Sequence, residues 1–380
     1  MAEATRVATQ TETAPKREPA YDRWMRSTGV PIHRGYYVED LRTLELGRWD
    51  ERECNAAFLQ LAGQEGVSEA RVSELAPGAT VPPLRFALDE VVYVVEGRGL
   101  TTVWDADGKG QKTFEWSAHS MFMVPRNRLH QHSNTQGNAR VRLLHYNYLP
   151  MAMGILPDPA FFFNNPYVES TEGSDQTSEQ YYSAAQVYPS RDRFGKAREM
   201  WYGNFFPDMR AWDRLHAYED RGAGGSRVGV QFPSSPISAH MSVFPSRTYK
   251  KGHRHGPGVV IVIPGGEGYS IMWIEGHEKV YVPWHEASVF VPPDRWFHQH
   301  FNVGQIPARY LAFHALRPGT AQNTERIEDV MRDQIEYVQE DPFIRETFKE
   351  ELGKRGMTSL MPEQVYTDPN YVIPVEQGED

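Results

Sequence analysis

Two stretches decide how this chain is read: ALDEVVYVVEGRG, residues 87–99, and HGPGVVIVIPGGEG, residues 255–268. Each is a β-branched run ending in a glycine-rich turn, the pattern of a buried strand entering a tight reversal. Gly97-Arg98-Gly99 falls on Gly266-Glu267-Gly268 at an offset of 169. A second pair of stretches, VPRNRLHQHSN (124–134) and PPDRWFHQHFN (292–302), matches at an offset of 168. It places His130 on His298, His132 on His300 and Asn134 on Asn302, with His145 and His314 within one residue of register. Two points of register at almost one offset read as an internal duplication of one β domain.

Outward from these stretches, short strands separated by Pro and Gly fill 68–150 and 227–320, the pattern of an all-β sandwich or barrel. The remaining segments divide as a polar, disordered arm (1–20), a packing segment around Trp24, Trp49 and Phe58 (21–67), a linker (151–226) with a helix near 190–202, and a helical tail (321–380). Sheet edges need cover. The packing segment and the tail are expected to supply it across subunits of a homo-oligomer.

Composition excludes several classes. With 40 Lys and Arg against 50 Asp and Glu, the formal charge is −10. That argues against a nucleic-acid partner and against an anionic membrane surface. The single cysteine, Cys54, makes no internal disulfide and no cysteine-based zinc site, and lacks the surroundings of a nucleophile. The longest apolar run, 259–263, is far too short to span a bilayer, and the first twenty residues lack the apolar core of an export signal. The expectation is a cytoplasmic protein.

The chemistry lies in the histidines. His253-Arg254-His255 leads from a turn into a strand, where residues i and i+2 share a face, so both imidazoles point one way and Arg254 the other. His298-Gln299-His300 repeats the arrangement after Pro292-Pro293. Inside a barrel, inward faces of two strands converge, and three imidazoles at one point make a metal site. The alternative is a set of ordinary polar residues at a barrel mouth.

At these residues the chain resembles the cupin superfamily, and its repeat resembles a bicupin. HRHGPGVVIVIPGGEG is similar to the first cupin motif; Pro293 through His298, then Asn302, is similar to the second. The resemblance implies two tandem cupin (jelly-roll, double-stranded β-helix) barrels with an N-terminal arm, a partly helical linker and a helical tail. The motif glutamate is replaced by Val259 and Val260, which implies a three-histidine metal set of His253, His255 and His298. In the first copy the HxH has become Leu84-Arg85-Phe86, while Glu90 and His130 persist. That barrel is read as metal-free and structural, with Glu90 and His130 either a buried pair or the lining of a vestigial pocket.

Three neutral ligands leave the dication's charge on the metal and open positions beside it. Such a site favours a small anionic, chelating substrate. The resemblance to gentisate 1,2-dioxygenase-like bicupins implies Fe(II) and dioxygen, acting on a small aromatic or hydroxy or keto acid. In that family the N-terminal cupin holds the metal, whereas here it would be the C-terminal one. The alternatives are a non-oxidative lyase, decarboxylase or isomerase using Mn, Ni or Zn, and a non-catalytic small-molecule-binding bicupin. His300 and His240 are the candidate catalytic groups, and His314 shares their ambiguity. Trp273, Trp296 and Tyr269 are candidate pocket walls or barrel core, and Arg247, Arg309 and Arg317 candidate carboxylate clamps. His33, His119, His216, His277 and His285 read as surface or loop residues. Because only one copy keeps the HxH, metal analysis should find one divalent ion per chain; two would contradict this reading.

Overall fold

The duplicated strands pair in duplicated registers. The computed structural model describes residues 18–105, 108, 110–167, 181–191, 197–211, 215–217, 219–233, 235–316 and 332–374. In the first half, a sheet with the order Glu69–Leu75, Val141–Asn147, Glu90–Glu96, Met121–Val124 faces a second of Leu84–Arg85, Leu129–Asn134, Arg98–Trp104, Gln111–Ser117. In the second half the same two orders recur. Ser238–Phe244, Ala308–Phe313, Val260–Gly265, Val289–Phe290 face Gly252–His253, Phe297–Asn302, Gly268–Trp273, Val280–Trp284. The fold is all-β, two tandem jelly-roll barrels.

Pairing extends the repeat residue by residue. Leu84 lies opposite His130, and its counterpart His253 lies opposite His298. Asn134 and Asn302 explain their place in both copies. Each side-chain amide bridges three backbone carbonyls, Leu75, Ala76 and Ala139 in one barrel and Phe244, Pro245 and Ile306 in the other. The closing strands correct one expectation. Val91 faces Tyr146 while Val260 faces Phe313, so the counterpart of His145 is Ala312, and His314 stands where Asn147 does.

The repeat also reaches further than the two cupin-like stretches. Tyr37–Val38 leaves the first half to pair with Val289–Phe290 of the second barrel, and Phe205–Phe206 pairs with Met121–Val124 of the first. Behind these strands, the Leu41 N–H donates to the Ala287 carbonyl and the Met209 N–H to the His119 carbonyl, each 2.9 Å. Asp40 and Asp208 each accept from the backbone N–H two residues on, at 2.8 Å. The barrels thus exchange edge strands reciprocally, which covers two sheet edges within one chain. One buried cluster, from Leu41, Met121 and Tyr146 to Met209, Val262 and Phe313, runs through both halves.

Other expectations change. Cys54–Leu61 is a strand in the first barrel's sheet, so that barrel begins before residue 68. The expected helix near 190–202 is instead a hairpin of Gln186–Arg191 and Ala197–Tyr202 in the second sheet. Its helix-forming residues yield to sheet pairing and burial, which outweigh local propensity. The segment around Trp24 packs with Trp49, Phe58 and Phe86 of its own chain. The tail does form a helix, Pro342–Gly353, and its Ile344, Phe348 and Leu352 bury against Tyr249 and Phe301 of the same chain. The arm to residue 17, and 317–331 with Arg317, lie outside the described residues. Among the described residues no helix is long and apolar enough to cross a membrane.

Leu41 is fully buried in the exchange. Leu41→Ala should cost about 2–5 kcal/mol, read by guanidinium unfolding. Both barrels should melt in one transition, because each holds a strand of the other; two separated transitions would contradict the coupling.

Candidate metal centre

The register that sets Leu84 against His130 sets His253 against His298, with ring centroids 4.3 Å apart. His255 joins them at 4.7 Å from His298 and 6.2 Å from His253. It does so from a loop, which corrects the expectation of one strand face carrying both imidazoles. The strand ends at His253. Arg254 then turns away, as expected, to bond Asp333 at 2.9 Å and Glu275 at 2.8 Å. The His255 carbonyl accepts from the Arg295 N–H at 2.9 Å, which fixes the bend.

Each of the three rings presents Nδ1 to a backbone carbonyl: His253 to Lys251 at 3.3 Å, His255 to Gly256 at 2.7 Å and His298 to Trp296 at 3.2 Å. A ring that donates from Nδ1 keeps its lone pair on Nε2, the support that ligating histidines receive in metal sites. Burial, then neighbouring cations and imidazoles, holds His253 and His298 well below the usual histidine pKa, so both are neutral. The His298 Nε2 is buried with no hydrogen-bond partner. Among the described residues no group of three or more His, Cys, Asp or Glu side chains is arranged to hold a metal as it stands. The ring spacing is nonetheless close to what a metal needs. With nitrogen–metal bonds of about 2.0–2.1 Å, three ligating imidazoles have centroids on the order of 5 Å apart. In kind, a donor set of three imidazoles braced at Nδ1 fits a divalent cation. Val259 and Val260 stand in the glutamate slot, Val260 buried in the barrel wall.

His300 lies deeper, 5.4 Å from His298 between ring centroids. Its Nδ1 is 2.8 Å from the Ser270 hydroxyl, which also accepts from the Trp284 indole N–H at 3.0 Å. The first barrel repeats this chain: Trp116 donates to Thr101, and Thr101 meets His132 Nδ1, both at 2.8 Å. An indole only donates. Among the described residues neither hydroxyl has an acceptor other than Nδ1, so each donates its proton there and the imidazole proton sits on Nε2. In that tautomer His300 presents a donor at Nε2. Burial, then Lys250, pushes its pKa down to about 3.

His240 bonds through Nδ1 to His314 Nε2 at 2.7 Å, and the Ser238 hydroxyl meets His314 Nδ1 at 3.2 Å. The sequence reading missed Lys250, fully buried beneath these rings. Its ammonium donates to the Ser242 hydroxyl at 2.5 Å and the Tyr310 hydroxyl at 3.2 Å, and lies 5.0 Å from the Tyr310 ring centroid. In the sequence it reads as half of a solvated Lys-Lys turn, so nothing local marks it. The relay, by contrast, was legible, since Thr101/Ser270 and Trp116/Trp284 keep the repeat's offsets.

The remaining candidates fall elsewhere. Tyr269 stacks on Phe301 at 4.5 Å in the core under the tail, and Trp296 meets Tyr36 at 5.8 Å. Trp273 stacks on Phe297 at 5.7 Å. The Arg247 carbonyl anchors the tail through the Leu360 N–H at 2.9 Å. Arg309 lies on the Ala308–Phe313 strand, level with Val243 and Gly265. His119 is no surface residue; it is buried, with Nδ1 2.9 Å from the Tyr93 hydroxyl and Nε2 3.3 Å from Glu286 of the other barrel.

No family model and no curated protein matches the chain. Among solved structures, an oxalate decarboxylase from Lactobacillus farciminis in a formate complex is 14% identical, at a TM-score of 0.46 over 74% of this chain and 86% of that one. Oxalate decarboxylase from Bacillus subtilis at pH 4.6 is 12% identical, at 0.45 over 74% and 76%. The same B. subtilis enzyme, in a structure concerned with its Mn(II) centres, gives 12% and 0.45 over 74% and 77%. At these values the likeness is one of chain path and not of chemistry.

Ser270→Ala should cost about 1–3 kcal/mol by leaving the Trp284 N–H without an acceptor, and Ser270→Thr should restore it. Nitrogen NMR of labelled imidazoles should show the Nε2–H tautomer at His300 and His132; Nδ1–H signals there would contradict the relay.

Proposed function

We propose that the C-terminal barrel binds one divalent metal on His253, His255 and His298 and catalyses a reaction of a small organic acid. The observation that carries this is the trio of imidazoles, each braced at Nδ1 by a backbone carbonyl, with His253 and His298 buried and neutral, His255 half-buried, and the His298 Nε2 left unpartnered. A metal so held supplies Lewis acidity and, as Fe(II), a binding place for dioxygen beside the substrate. The chain's own residues favour an anion. The His300 Nε2–H is a fixed donor beside the trio, and the Lys250 ammonium is buried close by with no carboxylate partner among the described residues. Both groups would orient a carboxylate or phenolate. The barrel walls, including Val260, exclude water from one side.

The first reading of the reaction is an Fe(II)-dependent dioxygenase acting on an aromatic or hydroxy or keto acid. A non-oxidative lyase, decarboxylase or isomerase on Mn, Ni or Zn is the second reading, and the hydrogen-bonded His240–His314 pair is its candidate route for a proton.

Oxygen uptake by protein loaded anaerobically with Fe(II), across a panel of phenolic and hydroxy acids, tests the first reading. Uptake coupled to product supports it; turnover without uptake on Mn, Ni or Zn supports the second. His255→Ala should lose metal and activity while keeping its unfolding midpoint. The loss should exceed the roughly 10–100-fold that removing a supporting partner of a metal ligand costs. His130→Ala should change activity little, and the reverse pattern would place the active site in the other barrel.

A further inference from the structure

The first barrel carries a cavity of about 340 Å³, inside the range of small-ligand sites. It opens where the metal ligands are missing. Leu84 holds the position of His253 and Phe86 that of His255. Phe86 stacks on Phe163 with centroids 5.4 Å apart, and Phe163 on Trp24 at 4.9 Å and 18°. With Trp49, this stack gives the mouth flat apolar walls.

The polar lining divides into groups that are used and groups that are not. Glu90 is used fully: one oxygen meets Arg71 at 3.0 Å and Asn147 at 3.1 Å, the other His145 at 2.8 Å. Arg71 also bonds Glu69, and the Ser73 hydroxyl meets the other nitrogen of His145 at 2.8 Å. Among the groups left over are a donor and a cation. The His132 Nε2–H, fixed as a donor by the Thr101 relay, is buried with no partner. Arg52, on the Asp50–Arg52 turn, has no hydrogen-bond acceptor and no ion pair among the described residues. It is half-buried, with the Arg71 cation on one side and the Glu90 and Glu51 carboxylates on the other, and burial and then Arg71 lower its pKa, which a directly bonded anion would offset.

We propose that this cavity is a second, metal-independent ligand site, which binds a small organic carboxylate with a planar apolar body. The carboxylate would meet the Arg52 guanidinium and the His132 Nε2–H, and the body would lie against Trp24, Trp49 and Phe163. The barrel read from sequence as structural thus has a binding role of its own, independent of the metal reading of the other barrel.

Benzoate and phenylacetate, with the neutral benzamide as control, test this by calorimetry on the full-length chain and on its His255→Ala variant. The acids should bind both proteins with equal affinity, and benzamide at least tenfold more weakly. Arg52→Gln lies on a partly exposed turn and breaks no bond, so the fold should hold, which the melting temperature checks. It should weaken the acids at least tenfold, with Arg52→Lys intermediate. Quenching of fluorescence by the acids should be reduced in Trp24→Leu, with the remainder coming from Trp49. Binding that disappears in His255→Ala would place the ligand in the other barrel and overturn the proposal. So would binding indifferent to Arg52→Gln, or no binding of either acid at millimolar concentration.

Discussion

One antiparallel register governs both halves of this chain. It sets the residue after the entry turn opposite the first histidine of an HQH strand, Leu84 against His130 in one barrel and His253 against His298 in the other. Side chains directly opposite across an antiparallel pair are held within touching distance by the backbone alone. The register therefore builds the same pair of facing strands twice, and the identities at a few positions decide what they hold. Histidine at 253 and 255 with valine at 259 gives an imidazole trio; leucine at 84 and phenylalanine at 86 with glutamate at 90 gives an aromatic mouth over a carboxylate–guanidinium network.

What surrounds those positions keeps His253, His298 and His300 neutral and orients all of the rings. Burial disfavours their charged form, and carbonyls or hydroxyls fix the proton of each ring. The Trp–Ser–His and Trp–Thr–His relays show that this support belongs to the fold, since both barrels have it whether or not a ligand trio is present. The tail contributes from outside: Gln299, between the two histidines of its strand, donates to the Lys250 carbonyl at 3.1 Å and to Glu340 near the tail helix at 3.3 Å. A strand braced on both faces places its histidines with little freedom, which a site of this kind requires.

Much of this was legible in the sequence because a repeat turns single residues into pairs. The offsets near 168 located both barrels, the HxH units and the departures from them in the first copy. Leu41-Arg42 against Met209-Arg210 would have revealed the strand exchange too, had the repeat been followed upstream of the β-rich stretches. Other features leave no local trace. AREMWY reads as helix, yet forms a strand because a neighbouring edge takes it. Lys250 reads as a solvated turn residue, and only the folded chain shows it buried. His255 reads as part of a strand, but Arg254's bonds to Asp333 and Glu275, distant in sequence, end that strand one residue after it begins.

The central claim is that the metal belongs to the second barrel and to three imidazoles there. Anomalous diffraction at the metal's absorption edge, on crystals of the loaded protein, tests it most directly. The account predicts one peak per chain, at about 2.0–2.1 Å from nitrogens of His253, His255 and His298, and none in the first barrel. A peak beside His130 and Glu90, or a metal held without His255, would contradict it.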